Sequence, residues 1–213
     1  MTYTVFVRDL LNDPTLRDAS DVSHIITAVA SSSSKERADK FIADTGIPGP
    51  CAAYGTYEEL VANPDVDVVY VATPHSHHYQ NVMLALGAGK HVLCEKAFTV
   101  NAAQTKILCE TAQKKNLFLM EAVWTRYFPL SVQIRELIKK GAIGEVLRVM
   151  ADNSFGDDVE DKWGTKHRMV NKDLAGGCLL DCKFFILRPL MVFSCSNRSR
   201  MLMAFRLQWE STH

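Results

Sequence analysis

Residues 66–96 constrain the fold of this chain more than any other stretch of its sequence. They contain an apolar run, a Thr73-Pro74 break, an amphipathic segment of helical length, a glycine-containing turn and a second apolar run that ends at Glu95-Lys96. This order predicts a strand, a helix and a second strand, which together form one βαβ unit. Because both runs are apolar throughout, both strands are expected to be covered by helices on two faces, in a central parallel sheet.

The polar residues of this unit lie where its two strands end. Ligands of open parallel sheets bind at the carboxyl ends of the strands, so we expect a binding site at Thr73, Pro74 and His75 after one strand. Glu95 and Lys96 are expected to join it from the next strand. Partial burial in a cleft would suit the Lys96 amine to proton transfer near neutral pH. The alternative for Lys96 is an exposed lysine at a strand exit.

Three histidines follow the proline, at positions 75, 77 and 78. Imidazole is a frequent zinc ligand, but this spacing directly after a proline does not bring three rings together on a helix. Cys178 and Cys182 are four residues apart, but they have no further ligands of comparable spacing nearby. We therefore predict no metal site, and we expect the histidines to hydrogen-bond a ligand or to cap the following helix.

Periodicity and capping signals predict the remaining elements of an α/β chain. Ser33 with Glu36, and Thr56 with Glu59, are spaced as capping boxes. The expected sheet is an incomplete Rossmann-like parallel sheet with an exposed edge or gap, because the sequence opens on a helix and contains no G-x-G-x-x-G turn. The predicted elements are a helix at Val5–Leu11, a strand at His24–Ala30, helices at 35–45 and 57–63, a helix that Asn101 caps and that runs to about Lys115, and a strand at Leu117–Ala122.

The loop after the strand at 24–30 bears on the choice of cofactor. In dinucleotide-binding folds this loop faces the adenosine ribose, where an acidic residue selects NAD and a basic one accommodates the additional phosphate of NADP. Here the loop offers Ser31 and Ser32, followed by Lys35, in place of the usual acid. We therefore predict NADP rather than NAD, against the alternative that four serines only form a solvated helix cap.

The character of the sequence changes after residue 122. Residues 1–122 are interpreted as a truncated dinucleotide-binding domain, and residues 123–182 as the start of an α+β second domain with a helix after Pro129 and a strand at Glu145–Met150. Residues 183–213 are interpreted as an atypical tail of uncertain structure. At the domain junction, Trp124 and Arg126 are candidates for binding a sugar-like substrate by stacking and paired hydrogen bonds, or else core residues.

The composition limits the kinds of partner that the chain can bind and the cellular compartment in which it is expected. The 213 residues include 24 basic and 24 acidic side chains, so no charge excess indicates nucleic acid or an anionic membrane surface. The six cysteines lack the spacing of a secreted disulfide framework, and no apolar run is long enough to cross a bilayer. A cytoplasmic protein that binds a small molecule is the expectation.

Three motifs in order resemble the Gfo/Idh/MocA oxidoreductases: TPHSHH from Thr73, CEK ending at Lys96, and MEAVWTRYFP from Met120. With the later segment AGGCLLD, the resemblance covers residues 4–181, and within the family it is strongest to the dimeric dihydrodiol dehydrogenases and NADP-dependent D-xylose dehydrogenases. It implies a Rossmann domain that holds NADP. It also implies a second domain whose sheet covers the nicotinamide and which often mediates dimerisation in complete relatives.

The resemblance further implies roles for single residues. Lys96 and Asp181 would be catalytic, His75 and His78 would lie beside the nicotinamide and substrate, and Trp124 with Arg126 would line the pocket. The residues predicted to contact the cofactor are Ser31, Ser32, Thr73, Pro74, His75, His78, Glu95, Lys96, Trp124 and Arg126.

This sequence departs from the family pattern at two further places. Ala97 follows Glu95-Lys96 where the family has proline, and Phe185 stands where these dehydrogenases have a tyrosine acid/base. The leading hypothesis is an NADP-dependent oxidoreductase acting on the CH–OH group of a sugar or trans-dihydrodiol. The alternative is an inactive truncated remnant that retains only partial nucleotide binding or dimerisation.

Overall fold

The computed structural model describes residues 2–13, 16, 22–148, 161–162, 164–177 and 180. Cys178, Asp181, Cys182, Phe185 and the predicted tail lie outside these ranges. The described part is an α/β fold, as predicted. Its helices are α1 Thr2–Leu11, α2 Lys35–Thr45, α3 Tyr57–Ala62, α4 His75–Gly87, α5 Ala102–Lys114 and α6 Pro129–Lys139; its strands are β1 Ala28–Ala30, β2 Ala52–Tyr54, β3 Val68–Val71, β4 His91–Glu95 and β5 Leu119–Ala122.

The predicted βαβ unit is β3, α4 and β4. β3 lies parallel to β4 with Val68 opposite His91, and β5 lies parallel along the other edge of β4 with Leu119 opposite Val92. β4 is therefore the central strand of a three-stranded sheet, and four of its five residues are buried. Side chains from α4 and α5 pack against this sheet, since Val82, Leu86 and Leu108 join Val92 and Cys94 in one core cluster.

Helix ends follow local capping chemistry, with one correction. The Thr56–Glu59 capping box is present at α3, and Asn101 caps α5 by accepting a hydrogen bond from the backbone N–H of Gln104. At α2 the capping residue is Ser34, whose side chain accepts from the N–H of Arg37, so the predicted Ser33–Glu36 box is wrong by one residue. Because four consecutive serines are available, the path of the loop decides which of them caps the helix.

Three strand predictions differ from the structure. Only Ala28–Ala30 of the predicted strand at 24–30 is a strand paired with a neighbour, and β2 at Ala52–Tyr54 was not predicted. Glu145–Arg148, the described part of the strand predicted at 145–150, is not a strand. Strands need a paired neighbour, and the described residues offer none to this segment.

The predicted gap in the sheet is confirmed for the described residues. β1 pairs only with β2, β3 pairs only with β4, and no described strand joins β1 to β3. Between β1 and β3 lies a cavity of about 650 Å³, lined by residues 27–30, residues 66–71 and three side chains of α1, namely Phe6, Val7 and Leu10. We call this cavity the interstrand slot.

Candidate functional site

Residues that directly follow β1 and β3 line the interstrand slot, at its end toward the carboxyl ends of these strands. Ser31 and Ser32 follow β1, and Thr73 and Pro74 follow β3. We call this end the slot mouth. Its polar lining consists of Ser31, Ser32, Ser33, Arg37, Tyr57, Thr73 and Asn81.

Arg37 is a residue of the slot mouth that the sequence-based prediction missed. The prediction placed Lys35 as the cation near the ribose loop, but Lys35 pairs with Asp39 at 3.0 Å and does not line the cavity. Arg37 lies in the first turn of α2, where its backbone N–H donates to the Ser34 cap, and it lines the mouth. The sequence did contain a signal for Arg37, because it is a basic residue in the first turn of the helix that follows the serine loop.

Hydrogen bonds tie the two sides of the slot mouth to neighbouring helices. The Tyr57 hydroxyl of α3 donates to Ser32 Oγ at 3.4 Å, and Asn81 Nδ2 of α4 donates to Thr73 Oγ1 at 3.0 Å. Both helix residues were missed because only the folded chain brings them to the strand ends. Their contacts fix hydroxyl groups that face the cavity.

Glu95 is a buried carboxylate beside Lys96. It is 8 % exposed, it accepts a hydrogen bond from the Tyr70 hydroxyl at Oε1, and its Oε2 accepts one from the backbone N–H of Lys96. Burial, followed by the negative charge of Glu95, raises the pKa of Tyr70 far above its usual value, so the hydroxyl stays protonated and donates. Tyr70 thus holds Glu95, and Glu95 holds the backbone of Lys96.

Tyr70 was not predicted as a site residue, since it lies inside an apolar strand. Its ring stacks on Phe6 of α1 with ring centroids 3.8 Å apart. The sequence signal was a phenol in a run of valines, because a buried tyrosine hydroxyl needs a partner. The partner could be identified only once β3 and β4 were paired.

His78 links the loops after β3 and β4. The ring is 1 % exposed, with Nδ1 2.7 Å from the carbonyl oxygen of Ala97 and Nε2 2.8 Å from that of Thr73. Burial lowers the pKa of His78, and the two carbonyl oxygens oppose that shift because they favour the charged ring. His78 therefore bridges backbone within the protein, and its predicted contact with the cofactor stays a prediction.

We expect the burial of His78 to make stability depend on pH. The folded protein binds a proton here less readily than the unfolded chain, so the stability contribution is complete above the ordinary value of 6.5 and is lost as pH falls below it. His78→Gln should lower the unfolding free energy by about 1–3 kcal/mol at pH 7.5, and by less at pH 5.

Urea unfolding at both pH values measures this difference, with exposed His77→Gln as the matched control. The control should keep the pH dependence of the parent chain. Identical pH dependence in the parent and in His78→Gln would show that another group carries the effect.

His75 brings a distant segment to the start of α4. Its Nδ1 lies 3.1 Å from the carbonyl oxygen of Ala175, and its ring contacts His78 edge to face. Gly176 allows this approach, because a Cβ at that position would lie 2.3 Å from the carbonyl oxygen of Arg168. Gly176 is thus required by close packing in this segment.

Trp124 and Arg126 lie in a 3₁₀ turn that follows β5. Trp124 is 54 % exposed and contacts Phe128 edge to face, so the alternative of a core tryptophan does not hold for the described part of the chain. Arg126 is half-buried, and its carbonyl oxygen accepts a hydrogen bond from Arg135. Their roles as pocket residues stay predictions.

The described ranges hold neither a metal-ligand cluster nor a membrane-spanning helix. These ranges contain no cluster of three or more His, Cys, Asp or Glu side chains able to hold a metal ion. None of their helices combines the length and the apolar character needed to cross a membrane. Burial raises the pKa of the Cys94 thiol well above its usual value, which is the property of an inert core cysteine.

Comparison with known proteins shows which family this chain is similar to. Residues 13–123 match the Gfo/Idh/MocA family model, described as an oxidoreductase family with an NAD-binding Rossmann fold. The chain is 61% identical over 180 residues to a D-xylose 1-dehydrogenase (NADP(+)) from Hypocrea jecorina, covering 83% of this chain and 46% of that protein. It is 43% identical over 160 residues to a trans-1,2-dihydrobenzene-1,2-diol dehydrogenase from Xenopus tropicalis, covering 75% and 46%.

Among solved structures, a 3-ketoreductase from Actinomadura kijaniata in complex with NADP is 32% identical, with a TM-score of 0.54. That match covers 65% of this chain and 40% of the other. The chain thus spans about half the length of the curated relatives that it matches.

Proposed function

The chain belongs to the Gfo/Idh/MocA oxidoreductase family, whose domain has the NAD-binding Rossmann fold, and on that premise we propose that it serves NADP-dependent oxidation of a CH–OH group in a sugar or trans-dihydrodiol. The observation that carries the proposal is the slot mouth, where Ser31, Ser32 and Arg37 meet at the end of β1. The substrate class is supported by the two dehydrogenases described above.

The slot mouth fits the adenosine end of NADP. Ser31 and Ser32 offer hydroxyls, and Arg37 offers a guanidinium that suits a ribose phosphate. No acidic side chain between residues 31 and 37 lines the cavity, so the group that would select NAD is not in place there. The described residues contain no glycine-rich turn for the pyrophosphate, which predicts weaker binding than a complete phosphate cradle provides.

The proposed catalytic group is the Lys96 amine. NADP, when bound, supplies the hydride acceptor. Lys96 would take the proton of the substrate hydroxyl, and its backbone is held for this task by Glu95 and Tyr70. Asp181 remains the second proposed catalytic residue and lies outside the described ranges. His75, Trp124 and Arg126 are proposed to border the nicotinamide and substrate.

Further parts of the proposal concern the cellular compartment, the binding partners, the assembly and the domain limits of the protein. We propose a cytoplasmic protein without nucleic-acid or membrane partners, and a homodimer as its assembly. Domain limits at residues 122 and 182 belong to the same proposal. The alternative is an inactive remnant with partial nucleotide binding. Retained nucleotide binding without turnover would support this alternative.

Binding of NADPH tests the cofactor assignment. We expect a dissociation constant weaker than about 1 μM, because roughly two or three charged hydrogen bonds to the pyrophosphate are lost, each typically contributing about 1.5–3 kcal/mol. Arg37→Ala should weaken NADPH binding about tenfold or more and leave NADH binding unchanged, since only NADPH carries the additional phosphate. Isothermal titration calorimetry measures both ligands.

Lys35→Ala is the matched control, because Lys35 lies two residues from Arg37 but pairs with Asp39. It should change neither affinity. Equal losses for NADPH and NADH in Arg37→Ala would place the guanidinium elsewhere than at the ribose phosphate. Binding of NADPH tighter than about 1 μM would show that another loop replaces the phosphate cradle.

A further inference from the structure

Glu121 is a strand carboxylate with a contact that the proposed mechanism does not yet use. It lies in β5, and its Oε1 accepts a hydrogen bond from the backbone N–H of Phe98 at 3.1 Å, although the two residues are 23 positions apart. Phe98 is the second residue after Lys96. An ionised acceptor strengthens a hydrogen bond to a backbone N–H, so this contact fixes the loop after β4.

The loop that carries Lys96 is held on both sides of that residue. On one side, the N–H of Lys96 donates to Oε2 of Glu95 at 3.2 Å. On the other side, Nδ1 of His78 lies 2.7 Å from the carbonyl oxygen of residue 97, and Glu121 accepts the N–H of residue 98. This carbonyl and this N–H belong to one planar peptide group, so His78 and Glu121 hold its two ends. Lys96 therefore lies between two fixed peptide groups.

The two carboxylates reach this loop from opposite faces of the sheet. Glu121 stands opposite Cys94 in the register of β4 and β5, so its side chain shares the face of Cys94, which belongs to the core cluster with α4 and α5. Glu95 follows Cys94 and points to the other face, where the Tyr70 hydroxyl holds it. Because the loop is held from both faces, neither carboxylate can replace the other.

We propose that Glu121 is a positioning residue for Lys96: its carboxylate holds the peptide group of residues 97 and 98, and that group fixes the backbone of Lys96 at the end of β4. The proposal rests on the catalytic role proposed above for Lys96. In this role Glu121 transfers no proton and acts only through its acceptor oxygen. A neutral acceptor of the same shape should therefore replace it in large part, and an apolar side chain of similar length should not.

Two substitutions separate the acceptor from the shape of the side chain. Glu121→Met keeps an unbranched side chain of similar length but removes the oxygen acceptor, whereas Glu121→Gln keeps a carbonyl oxygen that can accept from Phe98. Glu110→Met is the matched control, because Glu110 is an exposed carboxylate of α5 that pairs with Lys106 at 3.9 Å. All variants are made in the full 213-residue chain.

Hydrogen exchange followed by NMR measures the loop without any turnover. In Glu121→Met we expect the amides of Phe98 and Lys96 to exchange at least about tenfold faster, because the first loses its acceptor and the second is held through the same loop. Glu121→Gln should stay within about fivefold of the parent chain. The amides of the buried helix residues Leu86 and Leu108 should exchange as in the parent, which separates a local change from a loss of global stability.

Tritium transfer from labelled D-xylose to NADP measures the consequence for catalysis. Glu121→Met should lower the rate at saturating D-xylose by about ten- to a hundredfold, because misplacing a reacting group by about 1 Å has an effect of this size. The D-xylose concentration at half-maximal rate and the affinity for NADPH should change by less than about threefold. Glu121→Gln should recover most of the rate, and Glu110→Met should match the parent chain.

Two results would overturn the proposal. Faster exchange of the Phe98 amide alone would show that its peptide group does not hold Lys96. Equal losses of rate in Glu121→Gln and Glu121→Met would show that the negative charge, and not the acceptor oxygen, is what the reaction needs. Failure of the proposed function gives a different result: Lys96→Ala then leaves tritium transfer unchanged, although Glu121→Met still speeds the exchange of both amides.

A second variant covers the case in which Glu121→Met loses its cooperative urea transition. Glu121→Thr then takes its place, because threonine suits a strand but is too short to reach the Phe98 N–H. The same changes in exchange and rate are expected of it, and the same two results would overturn the proposal.

Discussion

Lys96→Ala is expected to lower the rate of NADP reduction by D-xylose or a trans-dihydrodiol by about a hundred- to ten-thousandfold, the usual contribution of general acid–base catalysis. The reason is the position of the amine at the carboxyl end of β4, directly after a carboxylate that Tyr70 fixes. Alanine removes the proton acceptor and leaves the Glu95 contact to the backbone N–H intact. Affinity for NADPH should change far less than the rate.

The rate of the parent chain is itself expected to be small, because Phe185 stands where the family has a tyrosine acid/base and because the cofactor is held weakly. Transfer of tritium from C1 of labelled D-xylose to NADP, measured at saturating substrate, provides the sensitivity required. Lys106→Ala is the control, since Lys106 is an exposed lysine paired with Glu110 on α5. A tritium-transfer rate unchanged by Lys96→Ala would remove Lys96 from the mechanism.

Leu108→Ala is expected to cost about 2–5 kcal/mol of unfolding free energy, which is a large part of the roughly 5–15 kcal/mol of a typical domain. Leu108 is fully buried, in the core cluster that joins α4 and α5 to β4. Truncation removes apolar contacts and leaves a cavity, since the surrounding strand and helices relax only in part. The urea midpoint should fall accordingly at unchanged slope.

Ile107→Ala provides the comparison on the same helix. Ile107 precedes Leu108 but is 44 % exposed, so its truncation should cost less than about 1 kcal/mol. Equal costs for the two variants would mean that α5 does not pack on the sheet through the face that contains Leu108.

Much of the architecture could be predicted because its causes are local in sequence. The apolar runs at residues 68–72 and 92–94 indicate strands covered on both faces, and the structure confirms β3 and β4 there. Capping residues located the starts of α3 and α5 to the residue. The location of the candidate site was also predicted from the sequence, because parallel strands place their carboxyl ends at the same edge of a sheet.

The predictions that failed concern elements whose existence depends on a distant partner. β2 is three residues long and became a strand only because β1 lies beside it, whereas the segment at 145–148 has no strand beside it among the described residues. The same holds for side chains. The pairing of Tyr70 with Glu95 joins residues 25 positions apart, and the contact of His75 with Ala175 joins residues 100 apart.

The sequence by itself therefore determined the class of fold, the family and the strand ends at which the site lies, because hydrophobic periodicity, caps and motifs act over a few residues. The tertiary structure decided which side chains reach the site: Arg37 rather than Lys35 at the slot mouth, Tyr70 against Glu95, and His78 between two carbonyl oxygens. The gap in the sheet was predicted, but only the structure showed that it lies between β1 and β3 with side chains of α1 along it. Hydrogen-bond partners and burial depend on which elements pack together, and no local pattern contains that information.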